Sequence, residues 1–184
     1  MIRRKGSEIS ATQQVLKKLS YIATFIFDVD GTLTDGGLWV TPEGNLIRRM
    51  DIRDGYAINY ALRKGYQIII ISGARMEGVR ERLKRLGVTH IYSRISDKLD
   101  FYKWLEKKLS LYNKAVLYMG DDIPDVPLLK YVGFSCGPSN AAPEVLNVVD
   151  WIAYSKGGYG AAREVIEKVL RLHGRWNDVT SILW

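Results

Sequence analysis

From Tyr21 onward, short apolar runs rich in β-branched residues alternate with amphipathic stretches of helical period, and that alternation leaves few folds open. The runs cover residues 22–27, 67–71, 90–92 and 115–119, with weaker ones at Phe134 and at Trp151 and Ile152. Each is continuous, apolar and bounded by turn residues, the pattern of a strand buried on both faces of a parallel sheet. Between them, Met76, Val79, Leu83 and Leu86 share one face of a helix that Gly87 stops. Asp97 can cap a helix running to about Leu109, and residues 160–172 place Val165, Ile166, Val169 and Leu170 on one side. The pattern predicts an α/β fold with a doubly wound, mostly parallel sheet, which binds ligands outside the carboxyl ends of its strands. One segment departs from it. Residues 38–40 and 46–50 flank the polar turn Thr41-Pro42-Glu43-Gly44-Asn45, which predicts a β-hairpin hanging over those strand ends.

Acids gather where the strands end. The first run leads into Asp28-Val29-Asp30-Gly31-Thr32, with Asp28 at the strand tip and Gly31 available for a sharp turn. Two carboxylates at one tip repel unless a cation lies between them, and hard oxygen ligands suit magnesium. The run at 116–119 ends in Gly120-Asp121-Asp122-Ile123-Pro124-Asp125. If the two strands are neighbours, Asp28, Asp30 and Asp121 converge on one cavity. Taken alone, the second cluster is equally a helix N-cap. Ser72-Gly73 follows the run at 67–71 and offers a hydroxyl and backbone N–H groups, although a lone serine there is more simply a cap. Lys98, taken alone, is a solvated surface lysine.

The 184 residues suit one compact domain, read as a basic arm over 1–20, the domain over 21–172 and a tail over 173–184. The arm is either a short helix over 12–19 or disordered. A single cysteine, Cys136, rules out a disulfide framework and a cysteine-rich zinc site and points to a reducing compartment. No apolar run approaches the length of a membrane span, and Gln13, Gln14, Lys17 and Lys18 interrupt any signal-like stretch, so a soluble cytoplasmic protein is expected. The net charge of +7 fits either nucleic acid or a small polyanionic substrate. There is no zinc-finger spacing, RNP-like aromatic motif or arginine-rich tail, so a nucleic-acid partner is not expected.

Taken together, Asp28-x-Asp30-Gly31-Thr32, Ser72-Gly73, Lys98 and Gly120-Asp121-Asp122-x-x-Asp125 follow one another in an order that resembles the haloacid dehalogenase-like hydrolase superfamily. The resemblance implies Mg2+-dependent phosphate ester hydrolysis. Asp28 attacks phosphorus and becomes an aspartyl phosphate, while Asp30 is general acid and then base. Ser72 and the Gly73 amide hold phosphate oxygens, and Lys98 neutralises charge. Asp28, Asp121 and the Asp30 backbone carbonyl ligate the metal, with Asp122 and Asp125 supporting that shell. The intervals from Asp30 to Ser72 and from Ser72 to Lys98 leave no room for a separate cap domain.

Within the superfamily, the chain is similar to the cap-free 3-deoxy-D-manno-octulosonate 8-phosphate phosphatases. The similarity rests on Thr34-Asp35-Gly36, Asp51-Ile52-Arg53-Asp54-Gly55-Tyr56, Leu86-Gly87-Val88, Asp97-Lys98-Leu99 and Gly157-Gly158-Tyr159-Gly160-Ala161-Ala162-Arg163-Glu164. It implies substrate contacts by Asp30, Arg53, Asp54, Gly55, Gly73, Arg82, Lys98 and Asp122, and a homotetramer in which hairpins assemble and a neighbour's tail covers the site. On a helical wheel Arg75 and Arg82 flank the apolar face and Arg80, Lys84 and Arg85 fall on a solvated side. Many family members carry arginine where this chain has Ala74, so either Arg75 substitutes or the sugar's carboxylate is held differently. Alternatives are a nine-carbon, sialic-acid-like acid sugar phosphate as substrate and a non-catalytic oligomerisation module. A signalling receiver domain fails on motif order, because Ser72 stands where its phosphoacceptor aspartate belongs. His90 and His173 lack ligand spacing and are expected to be structural, and Ile182-Leu183-Trp184 is expected to pack on a neighbouring subunit.

Overall fold

The computed structural model describes residues 11–177. In chain order the elements are α1 (Ala11–Leu19), β1 (Thr24–Phe27), β2 (Trp39–Val40), β3 (Leu46–Ile47), α2 (Ile52–Arg63), β4 (Gln67–Ile71), α3 (Glu77–Arg85) and β5 (His90–Tyr92). They continue with α4 (Lys98–Lys108), β6 (Val116–Met119), α5 (Val126–Leu129), β7 (Phe134–Gly137), α6 (Pro143–Leu146), β8 (Trp151–Ile152) and α7 (Ala161–Leu172). Six strands form one parallel sheet in the order β5-β4-β1-β6-β7-β8, and β2 and β3 form a separate antiparallel hairpin.

The order follows from burial. Strands β1, β4 and β6 are apolar on both faces and take the centre, where helices cover both sides. Alternate residues point to opposite faces, so Phe25, Phe27, Ile68, Ile70, Leu117 and Met119 join one core under α2, α3 and α7. Ile26, Ile69, Ile71, Val116 and Tyr118 meet α4, α5 and α6 on the other side. Phe27 is in register with Ile70 on one side and Met119 on the other, so the tips of three strands end together. From β1 the chain moves outward to β4 and β5 on one side, then crosses back through α4 to β6 on the other, and such a switch point opens a crevice at the carboxyl ends. Between β1 and Lys98 only the hairpin, α2, β4, α3 and β5 intervene, with no separate cap.

Two contacts fix the edge of this crevice. The turn before α7 is Gly157-Gly158-Tyr159-Gly160, and a Cβ on Gly157 would lie 1.7 Å from the Gly31 carbonyl oxygen. Only glycine lets this loop press against the Asp30-Gly31 turn. Gly160, the N-cap of α7, has no side chain to cap the helix. Asp54 of α2 supplies one instead, accepting from the Gly160 N–H at 3.3 Å and the Arg163 N–H at 2.7 Å. Asp54 is thereby committed to joining α2 to α7, and its burial pushes its carboxyl up to about 6.

The first residues of the tail pack on their own domain. Trp176 meets Tyr56 and Tyr60 edge-on, and Tyr66 and His173 hydrogen-bond through the phenol and Nδ1 at 2.6 Å. Ile182, Leu183 and Trp184 lie outside the described residues. The hairpin stands out from the body and exposes Leu38, Trp39, Val40, Leu46 and Ile47, with Trp39 74% exposed. No helix among the described residues is long and apolar enough to cross a membrane.

Candidate active site

The three strand tips surround a cavity of about 540 Å3 lined by Asp28, Asp30, Ser72, Gly73, Lys98, Asp121, Asp122 and Asp125, and also by Ala74 and Arg94. Asp28 directly follows β1, and its N–H donates to the Met119 carbonyl at 3.0 Å, which ties it to the tip of β6. The Val29 carbonyl then accepts from the N–H groups of Thr32, Leu33 and Thr34, so the chain turns at once. Gly31 sits at φ +80, and a Cβ there would fall 1.9 Å from Asp121 Oδ2. The glycine thus lets two distant acids meet. The Thr32 hydroxyl donates to Asp121 Oδ1 at 3.1 Å and fixes that carboxylate from the β1 side.

Lys98, capped into α4 by Asp97, is buried rather than solvated, with its ammonium 2.8 Å from Asp28 Oδ1 and 2.5 Å from Asp125 Oδ1. A lysine loses its hydration there only because two carboxylates replace it. Asp125 Oδ1 also accepts from the Tyr118 hydroxyl, while Oδ2 accepts from the N–H groups of Asp121 at 3.0 Å and Asp122 at 3.2 Å. Asp125 is therefore saturated: it holds the Gly120-Asp121-Asp122 loop and Lys98 in place. Asp122 caps the single turn that follows, accepting from the Ile123 N–H at 2.8 Å.

Oxygens of Asp28, Asp121 and Asp125 lie within 4.8 Å of one another, a spacing that suits a hard divalent cation. Because Asp125 is spent on four donors, Asp28 and Asp121 are the side chains free to coordinate one. A cation between them would offset the mutual repulsion of two buried carboxylates. Burial raises the Asp28 carboxyl to about 7, against the opposing pull of Lys98 and with the repulsion of Asp125. Burial, then the charges of Asp28 and Asp125, raise Asp121 to about 7 as well. At Lys98 burial works against the charge, but Asp28 and Asp125 more than offset it and hold the ammonium above the usual lysine value.

A pH dependence follows from these two acids. Both stand above the ordinary carboxyl value of 3.8, so the metal-free fold binds protons that the unfolded chain has released. Metal-free stability should then fall as pH rises from about 4 to about 7 and level off above. A divalent cation displaces those protons, so its affinity should rise over the upper part of that range. Thermal midpoints with and without Mg2+ should separate more widely at about pH 8 than at about pH 6; an equal shift at both would contradict the account.

Other residues singled out in the sequence sit elsewhere. Arg53 is exposed and paired with Asp51 at 3.0 Å, and Asp54 caps α7. Gly55 packs under α3, where an added Cβ would meet Arg82 Nη2 at 3.0 Å. Arg75 precedes α3, so the wheel did not apply to it, and it pairs with Glu77. Arg82 borders a separate cavity with Leu46, Ile47, Arg48 and Met50. Among the described residues none of these five lines the cavity at the strand tips. Arg80 is not solvated: it donates to the Ile91 carbonyl at 3.0 Å and the Ser93 hydroxyl at 2.8 Å, anchoring α3 to β5. Tyr92 stacks on His90, and His173 is held by Tyr66, so both histidines have local packing partners.

Sequence reasoning missed three residues. Arg48, just past β3, forks onto Asp30 through Nε at 2.5 Å and Nη2 at 3.1 Å, with its own side chain only 4% exposed. Tyr118 gave a signal in retrospect, a polar hydroxyl in a fully buried strand three residues before the Asp121-Asp122 pair. Arg94 lines the cavity in a left-handed backbone at φ 61, which no local pattern announced.

A family profile described as haloacid dehalogenase-like hydrolase matches residues 88–164. The 3-deoxy-D-manno-octulosonate 8-phosphate phosphatase of Escherichia coli (strain K12) is 35% identical over 164 residues, spanning 89% of this chain and 87% of the relative. The solved phosphatase of that type from Yersinia pestis superposes with a TM-score of 0.85 at 34% identity, covering 88% of this chain and 87% of that one. The one from Moraxella catarrhalis, solved with magnesium ion, phosphate ion and KDO, has a TM-score of 0.84 at 33% identity, covering 86% of this chain and 91% of that one.

Proposed function

This chain belongs to the 3-deoxy-D-manno-octulosonate 8-phosphate phosphatase family of haloacid dehalogenase-like hydrolases, and from that premise we propose that it releases phosphate from 3-deoxy-D-manno-octulosonate 8-phosphate with Mg2+ as cofactor, a step in supplying the sugar acid for lipopolysaccharide. The observation that carries the reading is the convergence of Asp28, Asp121 and Lys98 beside Ser72 at three adjacent strand tips.

Asp28 is the nucleophile. One carboxylate oxygen attacks phosphorus in line with the ester oxygen, a phosphorus–oxygen bond forms to Asp28, and the bond to the sugar oxygen breaks. Asp28, Asp121 and the Asp30 carbonyl would hold Mg2+, which would supply positive charge to offset the repulsion between the phosphoryl oxygens and the nucleophile. Lys98 adds a fixed positive charge from the side of α4, and the Ser72 hydroxyl and Gly73 N–H hold phosphoryl oxygens in place. The Ser72 hydroxyl oxygen already accepts from the Ala74 N–H at 3.2 Å, which leaves its proton to donate. Asp30 gives its proton to the departing sugar oxygen, then takes one from the water that hydrolyses the acyl phosphate and regenerates Asp28. Arg48 donates one hydrogen bond to each Asp30 oxygen, which orients the carboxyl group and leaves a second lone pair on each oxygen for the transferred proton.

The exposed apolar surface of the hairpin, Leu38, Trp39, Val40, Leu46 and Ile47, supports assembly of hairpins into a homotetramer. Arg53, Arg75 and Arg82 stand outside their own cavity, so any substrate contact they make is to a neighbour's site. The buried thiol of Cys136 and the absence of a spanning helix among the described residues are compatible with a cytoplasmic enzyme.

The test is a rate comparison with Mg2+ on the eight-carbon acid sugar phosphate, its nine-carbon sialic-acid-like counterpart and p-nitrophenyl phosphate. The reading expects kcat/KM to be highest for the eight-carbon compound by roughly tenfold or more. Equal rates on all three, or phosphate release that survives chelation of the metal, would overturn it.

A further inference from the structure

The cations around the catalytic cavity differ in what already holds them. Lys98 lies between Asp28 and Asp125, Arg48 is forked on Asp30, and Arg75 pairs with Glu77. Arg94 lines the cavity and is exposed, and among the described residues no carboxylate forms an ion pair with it; Glu77, already paired with Arg75, is the carboxylate near enough to feel its charge. Its backbone is left-handed at φ 61, where a side chain is disfavoured and glycine is not. Its N–H donates to the Ala74 carbonyl at 3.4 Å, so the small Ala74 side chain and Arg94 share one wall of the cavity. The turn itself would be served better by glycine; what arginine adds is a guanidinium group.

We propose that Arg94 binds the carboxylate of the substrate and so selects acid-sugar phosphates over phosphates that lack one. The inference rests on the substrate reading given above. The phosphate end of such a molecule is already matched by Lys98, the Ser72 hydroxyl and the cation that Asp28 and Asp121 would hold. The carboxylate end still needs a cation, and a guanidinium binds a carboxylate through two parallel hydrogen bonds. At Ala74 a methyl group leaves the neighbouring space open for that contact.

The test compares Arg94→Gly and Arg94→Lys with the wild-type chain on 3-deoxy-D-manno-octulosonate 8-phosphate and on p-nitrophenyl phosphate, alongside thermal midpoints. Arg94→Gly should lower the ratio of the two kcat/KM values by roughly 30-fold, chiefly through KM for the acid sugar. Its thermal midpoint should hold or rise, because glycine relieves the left-handed backbone. Arg94→Lys should retain part of the preference, as a cation without the planar fork. A ratio left unchanged by Arg94→Gly would overturn the proposal, as would equal losses on both substrates, which would place the guanidinium on the phosphate. A wild-type chain with no preference for the acid sugar would overturn the substrate reading and this inference with it. A wild-type preference that survives Arg94→Gly overturns this inference alone.

Discussion

Asp28→Asn should reduce kcat by at least about 10^4-fold while leaving the fold intact. The amide keeps the size of the carboxyl group but cannot supply the anionic oxygen that forms the bond to phosphorus. Stability should move the other way from activity. Burial holds the Asp28 carboxyl near 7, so at neutral pH its charge is resisted by the site when no metal is present. A neutral asparagine removes that penalty, and the metal-free variant should melt at the same temperature as the wild type or higher. Steady-state turnover and calorimetry on the same preparation check both halves. Phosphate release within tenfold of wild type would eliminate Asp28 as the nucleophile.

Lys98→Met should be costly in both respects. The ammonium stands 2.8 Å from Asp28 and 2.5 Å from Asp125 in a place with almost no water. Removing it strands two buried carboxyl groups, and breaking a buried ion pair in this way costs about 3–5 kcal/mol. Turnover should fall by about 10^2- to 10^3-fold, as for loss of a fixed charge aimed at the reacting group. Part of the lost stability should return on adding Mg2+, since a cation at Asp28 and Asp121 replaces some of the missing charge. Part should also return in acid, where the raised Asp28 and Asp121 carboxyls take up protons. Denaturant unfolding at about pH 5 and about pH 7, with and without Mg2+, distinguishes this from simple loss of packing. A loss that is identical under all four conditions would rule out the charge of Lys98 as its cause.

The strands at the centre were legible because each is an uninterrupted apolar run, which only a doubly covered sheet can bury; β4 and β5 keep the bounds the runs suggest. The ends of β1 and β6 are shorter by one or two residues than the apolar runs, since Ile22, Ala23 and Ala115 belong to the entries into the strands. The helix over 11–19 settles what composition left open, with Leu19 buried against the sheet. Where the wheel failed, at Arg75 and Arg80, the reason is local. The helix starts two residues after Arg75, and a long guanidinium on the outer side of a helix can still reach across to a strand end.

What the sequence alone determined is the order of chemistry: an acid pair after one buried strand, a serine after the next, a lysine, then more acids. Those features are local, set by which residues follow an apolar run. What only the tertiary structure decided is who faces whom. The Asp28–Lys98–Asp125–Tyr118 chain, the fork of Arg48 on Asp30, the use of Asp54 as a helix cap and the meeting of Arg94 with Ala74 on the cavity wall all bring together residues separated along the chain. Side-chain pairing depends on distances fixed by how β1, β4 and β6 lie side by side and how glycines let loops touch. No window of neighbouring residues carries that information.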